Sequence, residues 1–304
     1  MHAKKSFIFL QLQAQGRTAW IDALKADGPY TVKAPSNICL PNQAVPDPLT
    51  VEEIQEYIGW FARAAKNAIA AGFDGVEIHG ANGYLVDQFL QSISNGRTDA
   101  YGGSIENRAR FGLEVTKAVI AAVGKERTGI RLSPFANFNG MPMKDPVPQF
   151  SYMASELKKL DIAYLHAIDA RQNENGSEDD FKNSIKFLGD IWGPTKPFLI
   201  AAGLTPELAK KELDDNYSDV NAVAVFGRYF ISNPDLVFRI KEGVQLSPYD
   251  RSTFYLAKER TGYVDYPFSK EFEASVGQGN EKTVNNILDQ SKAETTNEMS
   301  VRIL

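Results

Sequence analysis

The sequence predicts an α/β fold with a parallel sheet, organised as a TIM-type (β/α)₈ barrel of which about six βα units are present. Strand-like and helix-like segments alternate six times along the 304 residues, as expected for parallel strands joined by helical crossovers. No G-x-G-x-x-G motif follows a predicted strand, which argues against the open dinucleotide-binding sheet. Polar residues fall instead where several different strands end, and a barrel builds its active site there.

The first βα unit begins with a strand, Ser6–Leu12, that is rich in Phe, Ile and Leu. The loop that follows has four prolines within residues 34–48. Thr50 and Glu53 then form a T-x-x-E capping box, which predicts the start of a helix. An apolar stripe runs along that helix, and Gly72 fits its C-terminal stop.

The other units repeat this pattern of a short apolar strand followed by a helix. The predicted strands are Asp74–His79, Gly129–Ser133, Ile162–Ile168, Phe198–Ala202 and Val220–Phe226. The predicted helices are Ile105–Val123 behind a Ser104 cap, Phe150–Leu160, Asp179–Leu188, one that starts at Thr205-Pro206, and Pro234–Lys241.

Six strands do not close an eight-stranded barrel, which takes about 250 residues before insertions. Because the first strand lies almost at Met1, we expect two βα units to be absent ahead of it. The predicted barrel domain is therefore residues 1–275, incomplete at its N-terminus. Residues 276–304 form a polar C-terminal tail that we expect to be poorly ordered.

The composition excludes several classes of function. The net charge is −5 with scattered basic residues, so no nucleic-acid footprint is present. Cys39 is the single cysteine, which rules out a disulfide within the chain and favours a reducing, cytoplasmic location. Phe7–Leu10 is too short for a signal sequence, and no segment approaches the roughly 18–20 apolar residues of a membrane span. A homodimer is left open.

His79, Asn82 and Tyr84 follow the second predicted strand around an Asn82-Gly83 turn. A neutral imidazole N–H and an amide N–H can together stabilise negative charge on a carbonyl or phenolate oxygen. A nearby tyrosine hydroxyl can then deliver a proton. The alternative is a satisfied core histidine, a plain turn and a packing tyrosine, and these residues alone slightly favour that alternative.

Arg131 lies inside an apolar strand, in the run G-I-R-L-S-P. A buried guanidinium needs an anionic partner or costs several kcal/mol. A bound anion or an electron-rich ring would serve, and a structural pair with a carboxylate such as Glu77 is an equal alternative.

Gly203, Gly227 and Arg228 end the last two predicted strands. Glycines there let backbone N–H groups approach a phosphate, and barrels favour that location for phosphate sites. Tight strand-to-helix turns explain either glycine alone, but the pair at matching positions favours phosphate. No group of His, Cys, Asp and Glu has metal-ligand spacing, so no metal is expected.

Several runs closely resemble the Old Yellow Enzyme family of flavoproteins over roughly residues 1–267. They are H-G-A-N-G-Y-L, N-G-R-T-D-A-Y-G-G-S-I-E-N-R-A-R-F, G-I-R-L-S-P, F-G-R-Y-F-I-S-N-P-D-L and D-R-S-T-F-Y. The resemblance implies a (β/α)₈ barrel that binds FMN, takes hydride from NADPH and reduces activated alkenes such as enones and enals.

The resemblance also implies roles on the substrate side of the site. His79 and Asn82 would hold the carbonyl oxygen of the substrate. Tyr84 would protonate its α-carbon, and Tyr255 would line the substrate pocket.

On the cofactor side, the resemblance implies that Gln11 bonds the pyrimidine edge of the flavin. Arg131 would stabilise negative charge on the reduced flavin. Gly203, Gly227 and Arg228 would bind the FMN phosphate. The implied flavin would also be the partner that a buried Arg131 needs.

Three departures from the family pattern matter. The two absent units would supply the first barrel strands, which in the family contact the flavin ring. Leu204 replaces the usual Asn after the phosphate-loop glycine, and Gln13 lies where a Trp is common. The alternatives are therefore an inactive fragment or pseudo-enzyme of the same family, and a phosphate-binding barrel enzyme without flavin, which the matched runs disfavour.

Overall fold

The structure is a computed structural model that describes residues 1–169, 184–201 and 203–279. The chain divides into two compact units, Met1–Val225 and Phe226–Leu304. The larger unit carries the sheet, and the smaller one consists of helices and loops in its described part.

Six parallel strands form the main sheet within the described residues, in the spatial order β1-β4-β5-β6-β7-β8. A short parallel pair, β2 and β3, lies apart from it. The strands are β1 Phe9–Leu12, β2 Lys33–Ala34, β3 Asp47–Pro48, β4 Gly75–Gly80, β5 Thr128–Leu132, β6 Tyr164–Ile168, β7 Phe198–Ala201 and β8 Ala222–Ala224. Each of the six predicted strands is present, which confirms the parallel sheet of six βα units.

Helices follow the strands along the chain, as the alternating pattern predicts. They are α1 Ile21–Asp27, α2 Val51–Ala70, α3 Leu85–Leu90, α4 Ile105–Val123, α5 Val147–Lys159, α6 Lys186–Trp192, α7 Pro206–Asn216, α8 Arg228–Ser232, α9 Leu236–Glu242 and α10 Lys270–Gly279. The helix predicted at Asp179–Leu188 overlaps α6, and its first part lies outside the described residues. The predicted tail begins inside α10, and residues 280–304 are likewise outside them.

Helix α2 shows why these segments form where they do. Thr50 Oγ1 accepts from the Glu53 backbone N–H at 3.1 Å, and Glu53 Oε2 accepts from the Thr50 N–H at 2.8 Å. This reciprocal cap satisfies two backbone donors that the first turn of a helix leaves unpaired. The apolar stripe of α2 is buried and packs against β4 and α4, which places the helix on the outer face of the sheet.

Aromatic rings fill the inner face of the sheet below the polar residues. The Phe9 ring lies over Gly75 and the Tyr164 ring over Gly129, and the two ring centroids are 5.6 Å apart. A Cβ on either glycine would come within about 2.3 Å of a ring atom, so the small residues make room for the rings. Polar side chains of the same inner face therefore begin one layer nearer the carboxyl ends of the strands.

The smaller unit is organised around a buried ion pair. Arg239 Nε donates to Asp235 Oδ1 at 2.8 Å, and the other oxygen of Asp235 accepts from the Ser269 backbone N–H at 3.0 Å. This contact links α9 to the start of α10. None of the described helices is long and apolar enough to cross a membrane.

Candidate active site

His79, Asn82 and Tyr84 come together at the carboxyl end of β4, as the sequence predicts. The His79 side chain is buried within the strand, and its ring centroid lies 5.0 Å from that of Tyr84. Asn82 occupies the left-handed region with φ of 55°, which tightens the turn between them. Tyr84 then stands at the N-terminal boundary of α3, half-buried.

The backbone of this turn is held from several sides. The Asn82 N–H donates to Ser133 Oγ at 2.8 Å, and the Asn82 carbonyl accepts from Asn139 Nδ2 at 2.9 Å. The Gly83 N–H donates to Asp87 Oδ2 at 2.8 Å, and the Gly83 carbonyl accepts from Gln88 Nε2 at 2.7 Å. With these groups satisfied, the turn does not depend on a ligand for its conformation.

Asp87 is fully buried beneath the turn, on α3. Besides Gly83, its carboxylate accepts from Gln91 Nε2 at 2.9 Å and interacts with the Ser133 hydroxyl. Burial raises the pKa of Asp87 to about 7, and the donors around it and the more distant Arg17 charge oppose that rise.

Arg17 holds the loop that faces the turn. Its guanidinium is buried and donates to the carbonyl oxygens of Asn139 at 3.0 Å and Gly140 at 2.8 Å. Its backbone N–H donates to Gln88 Oε1 at 3.0 Å. Arg17 therefore connects the segment after β1 with both the 139–140 loop and the side chain that supports Gly83.

His79 is neutral at physiological pH. Burial is the main cause, and the neighbouring Arg131 charge adds to it, so that the pKa of His79 is lowered to about 4. Its Nδ1 is buried without a hydrogen-bond partner among the described residues, as is Asn82 Oδ1. A neutral imidazole can donate one N–H to a ligand oxygen without a change of charge.

A second group of polar residues lines the inner face of β1, β4, β5 and β6. Gln11 Nε2 donates to Glu77 Oε1 at 2.7 Å, and His166 Nδ1 lies 2.9 Å from Glu77 Oε2. Arg131 is the register neighbour of both His79 and His166. Its charge acts on Glu77, but no ion pair joins the two among the described residues, so the structural pair considered from sequence is not formed.

This inner face ends in unpartnered polar atoms. Arg131 Nε and His166 Nε2 are buried, and neither has a hydrogen-bond partner in the described part of the chain. Burial lowers the pKa of Arg131, and the Glu77 charge opposes that effect. A buried donor and a buried acceptor without partners cost free energy unless a ligand supplies them.

A cavity of about 720 Å³ opens beside Tyr84. It is lined by residues that follow β1, by α1 and by the loop after β5: Gln15, Thr18, Ala19, Trp20, Ala23, Leu24, Asp27, Tyr84, Phe138 and Asn139. The lining is mainly apolar with a few polar groups, which is the usual composition of a small-molecule site.

Four further residues were predicted for the site from the sequence: Gly203, Gly227, Arg228 and Tyr255. Gly203 follows β7 with φ of 67°, a backbone conformation that favours glycine. In the smaller unit, Gly227 immediately precedes α8 and Arg228 is its first residue, and the Arg228 guanidinium donates to Tyr249 Oη at 3.0 Å. Tyr255 also belongs to that unit and is exposed. His79 and Gly203 belong to the larger unit, whereas Gly227, Arg228 and Tyr255 belong to the smaller one.

Sequence reasoning missed Asp87, Ser133 and Arg17. Asp87 lies in the otherwise apolar run L-V-D-Q-F-L, and a carboxylate among buried side chains is the signal that could have identified it. Ser133 and Arg17 had no such local signal, because their partners lie far away in sequence.

Comparison with known proteins gives consistent matches. Residues 1–247 match the family described as NADH:flavin oxidoreductase / NADH oxidase. A chanoclavine-I aldehyde reductase, fgaOx3 of Penicillium roqueforti, is 48% identical over 91% of this chain and 75% of its own length. A probable inactive dehydrogenase, easA of Claviceps purpurea, is 49% identical over 90% of this chain and 73% of its own length.

Solved structures agree with the family match. An old yellow enzyme homologue from Zymomonas mobilis superimposes with a TM-score of 0.80 at 34% identity, covering 88% of this chain and 76% of that one. Morphinone reductase gives a TM-score of 0.78 at 36% identity, covering 88% and 74%. The chain thus spans about three quarters of the length of these relatives.

Proposed function

Because this chain belongs to the FMN-dependent NADH:flavin oxidoreductase / NADH oxidase family, we propose that it reduces the C=C bond of α,β-unsaturated carbonyl compounds with NADPH as the hydride donor. The observation that carries the proposal is the turn after β4. It sets a neutral buried imidazole beside a tyrosine that opens onto a large apolar cavity.

The residues of the inner sheet face fit FMN. An isoalloxazine ring presents carbonyl oxygens and ring nitrogens that accept hydrogen bonds, and an N3–H that donates one. Arg131 Nε supplies an unpartnered donor with positive charge, and Gln11 supplies an amide at the same face. Arg131 would thus hold the ring through its acceptors, with Gly203, Gly227 and Arg228 proposed for the phosphate. When bound, FMN supplies hydride chemistry between NADPH and the β-carbon of the alkene.

The chain's own residues would orient the substrate and move the proton. The neutral His79 and the amide of Asn82 would donate to the substrate carbonyl oxygen and so draw electrons from the double bond. Tyr84 Oη would give its proton to the α-carbon, which balances the hydride added at the β-carbon. The firmly held backbone of the turn keeps these groups in fixed relation, which reduces the ordering cost in the transition state.

The cavity beside Tyr84 supports a sizeable substrate. Its volume of about 720 Å³ lies within the usual range for small-molecule pockets, and Trp20, Leu24 and Phe138 give it apolar walls. The relative at 48% identity is named an aldehyde reductase, which supports an unsaturated aldehyde as the first substrate to test.

The test separates the two half-reactions in the purified chain loaded with FMN. Tyr84→Phe should slow reoxidation of the reduced flavin by an enal about 100-fold or more, within the range of general acid catalysis. Its reduction by NADPH should stay within about twofold. Tyr152→Phe, a half-buried tyrosine of α5, is the matched control and should change neither rate.

Two other outcomes contradict the proposal. An equal fall of both half-reactions in Tyr84→Phe would remove its role as proton donor. Failure of the unmodified chain to bind FMN would favour an inactive member of the family, as the name of the easA relative says of that protein.

A further inference from the structure

Glu77 lies at the centre of the inner sheet face, and the proposed mechanism gives it no role. It is 9% exposed and sits in the middle of β4, opposite Gln11 on β1 in the strand register. One carboxylate oxygen takes the Gln11 amide at 2.7 Å, and the other takes the His166 ring at 2.9 Å. Both oxygens of a buried carboxylate are thus committed to residues that face the proposed cofactor, and the Tyr164 hydroxyl one layer below also interacts with Glu77.

The charge state of Glu77 follows from these contacts. Burial alone would raise the pKa of Glu77, but the hydrogen bond from His166, the Gln11 amide and the Arg131 charge together outweigh burial and lower it. The carboxylate is therefore ionised at neutral pH. An ionised carboxylate only accepts hydrogen bonds, so each of its partners must present a donor.

This requirement settles the orientation of Gln11. A glutamine amide has an NH₂ end that donates and a carbonyl end that accepts. Glu77 takes the NH₂ end, which turns Gln11 Oε1 away from the carboxylate, where no described residue donates to it. Gln11 itself is exposed on the edge strand and would otherwise be free to present either end.

The same requirement settles His166. Burial lowers the pKa of His166 despite its contact with Glu77, so the ring is neutral and carries its single proton on Nδ1, toward the carboxylate. The buried Nε2 is then an acceptor. Glu77 thus determines which hydrogen-bonding atom each neighbour offers to a ligand.

We propose that Glu77 is a positioning residue of the cofactor site: by binding the NH₂ end of Gln11, it fixes Gln11 Oε1 as the acceptor for the N3–H of the flavin pyrimidine edge. This role rests on the proposed function, since it requires FMN to bind at this face. It makes the site specific for a ring whose edge places an N–H between two carbonyl groups.

The test compares the binding of FMN with that of N3-methyl-FMN, which lacks the N3–H. We expect the unmodified chain to bind FMN about tenfold more tightly, as for one well-placed hydrogen bond whose loss also leaves a group unpaired. Gln11→Ala should reduce this ratio to about twofold or less. Glu77→Gln should do the same, because a glutamine at position 77 can donate to Oε1 and allow the Gln11 amide to turn.

A double variant tests whether Glu77 acts through Gln11. In the Gln11→Ala background, Glu77→Gln should leave the binding ratio unchanged, since the group it orients is gone. Glu114→Gln is the matched control, because Glu114 is a partly buried carboxylate that accepts from Tyr101 Oη and should leave the ratio at about tenfold. If Glu77→Gln does not fold, Glu77→Asp keeps the charge but shortens the reach to Gln11, and the ratio should fall likewise.

Three results would overturn this role while FMN still binds. The first is a preference for FMN over N3-methyl-FMN that stays about tenfold in Gln11→Ala. The second is a preference that falls in Gln11→Ala but stays about tenfold in both Glu77→Gln and Glu77→Asp. The third is a preference that differs between Gln11→Ala and the double variant. If the unmodified chain binds neither flavin, the proposed function fails and the positioning role fails with it.

Discussion

The turn after β4 and the inner face of the strands beside it both belong to the candidate site. They differ in whether the protein itself supplies the hydrogen-bond partners of their polar groups. Around the turn, Ser133, Asp87, Gln88 and Asn139 satisfy the backbone donors and acceptors. On the strand face, buried atoms such as Arg131 Nε have no partner among the described residues. The protein therefore builds the turn by itself, whereas the strand face leaves buried atoms to which the proposed FMN would supply a partner.

This contrast predicts that changes in the two regions have different effects on stability. On the turn, Asp87→Ala would leave the Gly83 N–H and the Gln91 amide buried and unpaired. We expect the free energy of unfolding to fall by about 3–4 kcal/mol, measured by urea denaturation of the flavin-free chain. Asp190→Ala removes an exposed carboxylate that pairs with Lys186 and should cost less than about 0.5 kcal/mol.

On the strand face, Arg131→Met should weaken ligand binding without lowering stability. FMN binding should weaken about 100-fold because the cationic donor is lost, while the flavin-free chain should be no less stable, since a partly buried cation without an ion-pair partner has been removed. Binding is measured by flavin absorbance and stability by urea denaturation. Arg127→Met, at an exposed arginine just before β5, should change neither quantity. A large loss of stability in Arg131→Met would mean that the protein itself satisfies this guanidinium.

Part of the fold and part of the candidate site could be predicted from the sequence, because some of the interactions that determine them are local. The Thr50–Glu53 capping box and the Asn82-Gly83 turn each lie within a few residues, and both are present in the structure. The interactions that hold the turn are not local. Asn82 and Ser133 are 51 positions apart, and Arg17 and Asn139 are 122 apart.

Glu77 shows that the partner of a charged residue is also difficult to predict from the sequence. From the sequence it was a candidate partner for Arg131, since the two residue types attract each other. The strand register instead sets it opposite Gln11, within hydrogen-bond distance of both Gln11 and His166. Which of several neighbours a buried carboxylate binds depends on the tertiary structure, and periodicity alone does not reveal it.

The pH dependence of stability offers a third way to separate the two regions. The pKa of His79 is lowered by burial to about 4, so its neutral form stabilises the fold above pH 6.5 and this contribution is lost as the pH falls toward 4. The pKa of Asp87 is raised by burial to about 7, so its protonated form stabilises the fold near pH 4 and this contribution is lost as the pH rises toward 7. The two effects oppose each other between pH 4 and 6.5.

Removing either titrating group should leave the pH dependence of stability that the other one causes. In Asp87→Asn, the free energy of unfolding should rise by about 1 kcal/mol per pH unit between pH 5 and 6.5 relative to the unmodified chain. In His79→Asn, it should fall by about the same amount over that range. Urea denaturation at a series of pH values measures both slopes, and the unmodified chain is the reference because all other titrating groups are shared. Equal slopes in the two variants would contradict the assigned pKa directions.

The smallest expected effect tests whether the supports of the turn act separately. Ser133→Ala removes the oxygen that accepts from the Asn82 N–H and the hydroxyl that interacts with Asp87, but it leaves the Asp87 contacts with Gly83 and Gln91 in place. We expect a loss of about 1 kcal/mol in the free energy of unfolding, the lower end of the usual contribution of two hydrogen bonds. Ser155→Ala on α5 is the matched control, since that hydroxyl only bonds back to a carbonyl of its own helix, and its removal should cost nothing. A loss as large as that of Asp87→Ala would mean that the network acts as one cooperative unit, in which the Asn82 and Gly83 contacts form or fail together.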